Sequence, residues 1–388
     1  MPLLYFIRFA EKRKAGQNMK KIWMGFQRYT TKTARIAAIV LIISVAVHVG
    51  AVCSETFADL ISRTAGAFLR RLLATLTGWI PFSLAELFFL SLPVLFVFLY
   101  LLALRRMDGG KKQTIRFLTS FASIPVFLYG TFVFGFLTAY HGVDIADKVG
   151  LTQTDVRTED FKETMSWLIE EANVLSDEID YQFGSFSVMP FSLEELNVQL
   201  MTDYDRFCEA YPAFQSYHSR IKPVALSKAL TYTHIAGIYT FFTGESNLNL
   251  NFPDYTLPYT AAHELAHQRG VAREDEANFT AFLVCINSDS PYIRYCGYVN
   301  MIEYLAGPLY EADAAGYDAL MSGLDMKLAY ELQSYQEFFE PYQDNIAAEI
   351  SGTINDTYLK VQGQSEGSAS YGLVADLAVA YYLSCVKG

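Results

Sequence analysis

His263, Glu264 and His267 form the pattern H-E-x-x-H inside the segment Thr260–Gly270, and these three side chains at that spacing can do metal chemistry. On a helix, positions i and i+4 share a face, so the two imidazoles point the same way and offer two nitrogens to one ion. Glu264 stands beside them. Two histidines so placed hold Zn²⁺, and the glutamate between them works on a metal-bound water. Ala261, Ala262, Leu265 and Ala266 are small or apolar, as a helix packed inside a domain requires. Pro258 suits the first turn of that helix, and Gly270 suits the position just past its end.

Such a site needs a third protein ligand, and the next segment offers one. Glu274-Asp275-Glu276-Ala277-Asn278-Phe279 leads into Thr280–Ile286, a run whose apolar residues Phe279, Phe282, Leu283 and Ile286 recur at helical spacing. A turn at Gly270 folds this second helix back on the first and brings its acidic start to the metal. Glu274 and Asn278 share a face, whereas Glu276 lies about 200° around the helix from Glu274, so both glutamates cannot be ligands. An acidic first turn also complements the helix dipole without binding anything. No Cys-x-x-Cys, Gly-x-Ser-x-Gly or phosphate-binding glycine loop competes with this chemistry.

These residues resemble a family of bacterial membrane proteins, the domain of unknown function 3810, which is grouped with the gluzincin metallopeptidases. The resemblance is carried by His263-Glu-Leu-Ala-His267-Gln-Arg-Gly, by Glu-Asp-Glu-Ala-Asn-Phe after it, and by Gly237–Asn249 upstream. The three-span N-terminus and Asn355–Lys360 carry it more faintly. The Glu-x-x-Ala-Asn pattern is similar to the third-ligand helix of membrane prenyl-protein endopeptidases and of antirepressor-type metallopeptidases. What this implies is Glu274 as the third zinc ligand and Asn278 in a supporting role. The gap between His267 and Glu274 is far shorter here than in the prenyl endopeptidases.

The elements that must position these groups begin with three apolar runs, in a chain whose mean hydropathy is +0.17. They are Ala34–Cys53, Trp79–Leu104 and Phe117–Tyr140, each reaching the roughly 20 residues that cross a bilayer. Lys and Arg crowd the lead before the first run, from Arg8 to Arg35, and the link between the second and third, from Arg105 to Arg116. Both are therefore expected in the cytoplasm, and everything from His141 onward outside. The long charged lead and the two following runs argue against a cleaved signal peptide. Glu86 and His48 are ionisable groups within the runs, near their outer ends, where pairing is expected. Phe57–Leu76 has an amphipathic pattern that fits a helix on the membrane surface or one packed beneath the outer domain.

The outer region carries 13 Lys and Arg against 36 Asp and Glu, a balance of −23. That field repels nucleic acid and anionic headgroups, while its many Tyr, Phe and Leu fit a packed domain. Helical patterns run over Thr158–Ile179, Ser192–Tyr211, Gly297–Ala315, Tyr317–Asn345 and Tyr371–Val386, with Asp155 or Thr158 and Ser192 as N-caps. Gly363–Ser370 reads as a turn-rich loop. Thr231–Phe252 is the one β-rich stretch, suited to an edge strand that pairs with an extended peptide or that only caps the core. Four cysteines outside the membrane allow three disulfide pairings, and Cys285 on an apolar helix face suits a free thiol.

The expected protein has a basic cytoplasmic tail (1–33), three transmembrane helices (34–140) and a mainly α, α+β, zincin-like extracytoplasmic domain (141–388). It is read as a membrane-anchored zinc metallopeptidase acting on peptide or protein substrates, with His263, His267 and Glu274 on Zn²⁺ and Glu264 as general base. Tyr239, His234, Tyr292, Arg294 and Tyr295 are candidates to stabilise an oxyanion. The alternative is a catalytically silent zinc-binding sensor or interaction protein, against which the presence of Glu264 argues. A transporter relying on Glu86 is a poor third. Substrate specificity and oligomeric state are not encoded in any of these patterns.

Overall fold

The computed structural model describes residues 24, 26–107, 109–152, 156–182, 186–343, 345–361 and 371–388. The basic lead before Met24, Asp155 and the loop 363–370 lie outside them. The chain divides into two compact units, one of Met1–Val49 with Phe88–Val133 and one of Gly50–Leu87 with Phe134–Gly388.

Most of the first unit is made of helices long and apolar enough to cross a membrane: α1 (Lys32–Cys53), α2 (Leu84–Met107) and α3 (Lys111–Tyr140). α2 begins at Leu84 rather than at Trp79, because Ser83 caps it: its hydroxyl accepts from the Glu86 N–H at 2.9 Å. α3 reaches back to Lys111, six residues before its expected start, and steps at Ala122, three residues ahead of Pro125, whose ring cannot follow a regular turn. Within this unit polar pairs join α1, and Thr31 just before it, to α3. Thr31 and Ser120 hydroxyls lie 2.8 Å apart, and His48 Nδ1 lies 2.7 Å from Tyr129 Oη. His48 is thus paired, as its position near a helix end suggested.

The second unit is built on a small sheet and a helical core. β1 (Ile221–Pro223) runs parallel to β3 (Glu245–Leu248), and β2 (Gly237–Thr240) pairs antiparallel with the other side of β3, giving the order β1-β3-β2. β2 is therefore an edge. Two helices follow: α4 (Thr256–Gln268) and α5 (Glu274–Ile286). They pack on α6 (Pro291–Ala312), and Leu265, Phe279, Phe282, Ile302 and Leu305 are fully buried between them. Each such side chain contributes roughly 1.5–3 kcal/mol by leaving water. Upstream, Leu193–Ala210 starts on a capping box in which Ser192 and Glu195 satisfy each other's backbone, and its Tyr204 hydroxyl donates to the Ala262 carbonyl of α4.

The segment Phe57–Leu76 belongs to this unit and ends in a helix over Ala67–Gly78, with Arg70 and Ala74 buried and Phe68, Leu72 and Leu76 exposed. Arg70 is buried and donates to the Gly135 and Ser62 carbonyls, each at 3.0 Å. Glu245 on β3 pairs with Lys222 on β1 and accepts from the backbone N–H groups of Leu84 and Ala85 at 3.1 and 2.9 Å. Glu86 accepts from Ala225 and Leu226 N–H, both at 2.9 Å. Its carboxylate is thus paired, as its place near the outer end of the run suggested. The compact unit therefore takes in Gly50–Leu87 as well as the region expected from residue 141 onward. All five cysteines are free, Cys208, Cys285 and Cys296 in the interior.

Candidate metal centre

α4 is buried along almost its whole length, so its two histidines and its glutamate are placed by packing and not by solvent. Gly270 ends it with φ +92°, a left-handed turn that a side chain would strain, and Val271 N–H returns to the Ala266 carbonyl at 3.1 Å. α5 then folds back on α4. Tyr259 locks the pair by donating to the Asn278 carbonyl at 2.7 Å.

This hairpin brings the predicted ligands together. His263 Nε2 lies 3.2 Å from Glu274 Oε2, His267 Nε2 lies 3.5 Å from Glu274 Oε1, and one donor atom from each of the three residues falls within 4.8 Å of the others. Glu276 is elsewhere. It is buried, accepts from the Ile145 N–H at 3.0 Å and pairs with Arg273 at 3.2 Å, on the side of α5 away from the histidines. The helical register that opposed Glu274 and Glu276 is thus what the structure contains.

The other imidazole nitrogens are held in place. His267 Nδ1 lies 2.8 Å from the Val271 carbonyl, which can only accept, so Nδ1 carries the proton and Nε2 presents a lone pair when the ring is neutral. His263 Nδ1 lies 2.8 Å from Asn278 Oδ1, the same oxygen to which Tyr304 Oη donates at 2.9 Å. Asn278 therefore has the supporting position that its family resemblance implied, and Tyr304 is a partner that sequence reading missed. Rings oriented through Nδ1 with Nε2 free are the arrangement metal-binding histidines adopt.

Electrostatics fit the same use. Burial opposes charge on His267, but the Glu274 and Glu264 carboxylates outweigh it and hold its pKa up at about 9. Burial would raise Glu274, yet the two imidazoles outweigh burial and hold it well below the usual carboxylate range. In this state the protonated imidazole and the carboxylate neutralise each other, the charge balance that a bound cation would supply in place of the proton. Two nitrogens and one oxygen at this separation suit zinc, which takes three protein ligands and leaves a fourth position open in catalytic sites.

Glu264 is buried, and burial pushes its pKa up against the pull of His263 and His267. The Tyr239 backbone N–H of β2 faces its carboxylate, while Oε2 has no hydrogen-bond partner among the described residues. A buried oxygen left open beside a metal-type cluster is positioned to take a proton from a molecule that enters. Room for that carboxylate depends on Gly237, since a Cβ there would come within 2.6 Å of both Glu264 Cγ and Oε1. Gly237→Ala should therefore displace Glu264 and reduce any turnover about a hundredfold or more while zinc content, read by metal analysis, stays at that of wild type.

The cluster lies in a cleft of about 790 Å³ bordered by β2, by α6 and by a helix over Ile346–Val361. Of the five candidate oxyanion stabilisers, Tyr239 and His234 line this cleft. His234 has φ +61°, and its Nε2 donates to the Tyr342 carbonyl at 2.5 Å. The remaining three are engaged elsewhere. Tyr292 Oη meets Ser187 Oγ at 3.1 Å, Tyr295 donates to Glu331, and Arg294 donates to the Ser288 carbonyl at 2.9 Å. Those three do not reach the cleft, which Tyr304 and Glu303 line instead.

No curated protein and no solved structure shows a significant match to the chain. A family model does. It covers residues 62–379, from the buried Arg70 helix through the sheet, the histidine pair and α5 to the last helix, and so the chain belongs to the family described as protein of unknown function (DUF3810).

Proposed function

We propose that this protein is a membrane-anchored zinc metallopeptidase of gluzincin type. The observation that carries the reading is the convergence of His263 Nε2, His267 Nε2 and the Glu274 carboxylate, with the unpartnered Glu264 oxygen next to them in an open cleft. Zinc held by those three residues would supply a Lewis acid and lower the pKa of a water toward about 7. Glu264 accepts the proton of the attacking water and passes it to the leaving amine, a step that suits a carboxylate whose pKa burial has raised. Asn278 and the Val271 carbonyl fix the imidazoles through both steps. Gly237, Ile238 and Tyr239 present an edge strand along the cleft, where an extended peptide can add as a further strand.

A purely structural site has no use for Glu264, which argues against the silent zinc-binding reading. The test is cleavage of a peptide library by the purified full-length chain, with and without zinc removed by chelation. Cleavage should require zinc and return on its addition. Stoichiometric zinc with no cleavage by wild type would remove the peptidase reading and leave the binding protein.

The proposal places the second unit outside the cell, from the excess of Lys and Arg in the lead and in the link Arg105–Arg116. A reporter active only outside the cytoplasm should work when fused after Gly388 and be silent when fused after Gly109. The reverse pattern would put the cleft in the cytoplasm.

A further inference from the structure

The cleft contains one acidic group that neither the metal cluster nor the proton transfer uses. Glu303 lies on α6, a turn beyond the cleft-lining Asn300 and next to Tyr304, and is itself one of the residues that line the cleft. Its one hydrogen bond among the described residues is from Tyr255 Oη at 3.2 Å. No Lys or Arg among the described residues lines the cleft, whose ionisable residues are Glu264, Glu274, Glu303, three histidines and the tyrosines. Burial raises the Glu303 carboxyl to about 7 against the pull of the Tyr255 hydrogen bond, and the acidic Glu331 adds to the rise. An acid so placed has no salt-bridge partner among the described residues, and its partly buried setting strengthens whatever charge-assisted bond it makes. The outer region's balance of −23 draws cationic ligands toward it.

We propose that Glu303 is a specificity-determining residue that receives a cationic nitrogen group of the substrate, an ammonium or guanidinium carried by a peptide. The inference rests on the peptidase reading for the nature of the substrate. It does not depend on turnover for its test. A carboxylate and an ammonium joined by a direct hydrogen bond discriminate strongly against an uncharged isostere, because the isostere leaves the buried acid unpaired.

The test measures binding by fluorescence anisotropy to the full-length, zinc-loaded chain in detergent, in a Glu264→Gln background so that no peptide is consumed. Three labelled peptides are compared: N-acetylated with an internal lysine, free at the α-amine with norleucine replacing lysine, and N-acetylated with norleucine. One or both cationic peptides should bind at least about tenfold tighter than the neutral one. Preference for the first assigns the cation to a side chain, and preference for the second assigns it to the amino terminus. Adding Glu303→Gln should bring the affinities to within about twofold of each other, with metal content as the folding control. Equal or undetectable binding of all three peptides overturns the proposal, as does a preference that survives Glu303→Gln. Cleavage by wild type is scored separately, so absence of hydrolysis counts against the peptidase reading alone.

Discussion

Replacing Glu264 by glutamine should leave zinc bound at about one ion per chain and lower peptide hydrolysis by about 10²–10⁴, the range that a positioned acid–base group contributes. Both halves follow from geometry. Glu264 is not within the donor cluster, which consists of His263, His267 and Glu274, so the amide removes no ligand. It is the same size as the carboxylate, so the tight fit against Gly237 is preserved and the Tyr239 backbone N–H can still meet an amide oxygen. What is lost is the oxygen that could accept and return a proton. Metal analysis and the library assay on the same preparation check the two halves separately. Unchanged hydrolysis with zinc in place would mean that Glu264 does no proton transfer and that another group serves as the base.

The histidine pair, the glutamate beside it and the third-ligand helix were legible because each depends on local periodicity. His263 and His267 at i and i+4, and Glu274 against Glu276, need only the pitch of a helix, and the Gly270 turn that folds α5 back is written in one residue. The start of α6 shows how a local error spreads. Its pattern was read from Gly297, although Ser290 and Pro291 are the cap and first residue of a helix. Tyr292, Arg294 and Tyr295 fall in those unrecognised first turns of α6, which send both tyrosines into the core. Glu303 and Tyr304 were missed for a related reason. They belong to an apolar helix whose cleft-facing side is set by packing on α4 and α5, contacts that no spacing within α6 announces. Gly237 has no local signature either, since its need for a missing Cβ arises from Glu264, 27 positions on. The burial of Arg70 was half-visible: the amphipathic pattern was clear, and only the tertiary fold supplied the Gly135 and Ser62 carbonyls that hold its guanidinium.

The ligand set makes the sharpest demand on the structure. His263→Ala and His267→Ala should each weaken zinc binding by about a hundredfold or more, since the roughly 10–16 kcal/mol of a four-ligand zinc site averages to about 2.5–4 kcal/mol per ligand. Glu274→Gln should have a similar effect, because a neutral amide is a poor zinc ligand and because the variant also removes the anion that holds two imidazoles around it. Glu276→Gln should leave zinc affinity within about threefold, since that carboxylate serves Ile145 and Arg273 on the other side of α5. Its cost would fall on stability instead, through the pairing that Arg273 loses in the interior. Competition titration against a chromophoric chelator measures the four affinities, and thermal unfolding separates stability from binding. If Glu276→Gln released the metal while Glu274→Gln retained it, α5 would have to be turned by about 200° from the placement described, carrying Asn278 away from His263. If zinc stayed at one per chain through both histidine substitutions, the ion would lie elsewhere and the proposed centre would be void.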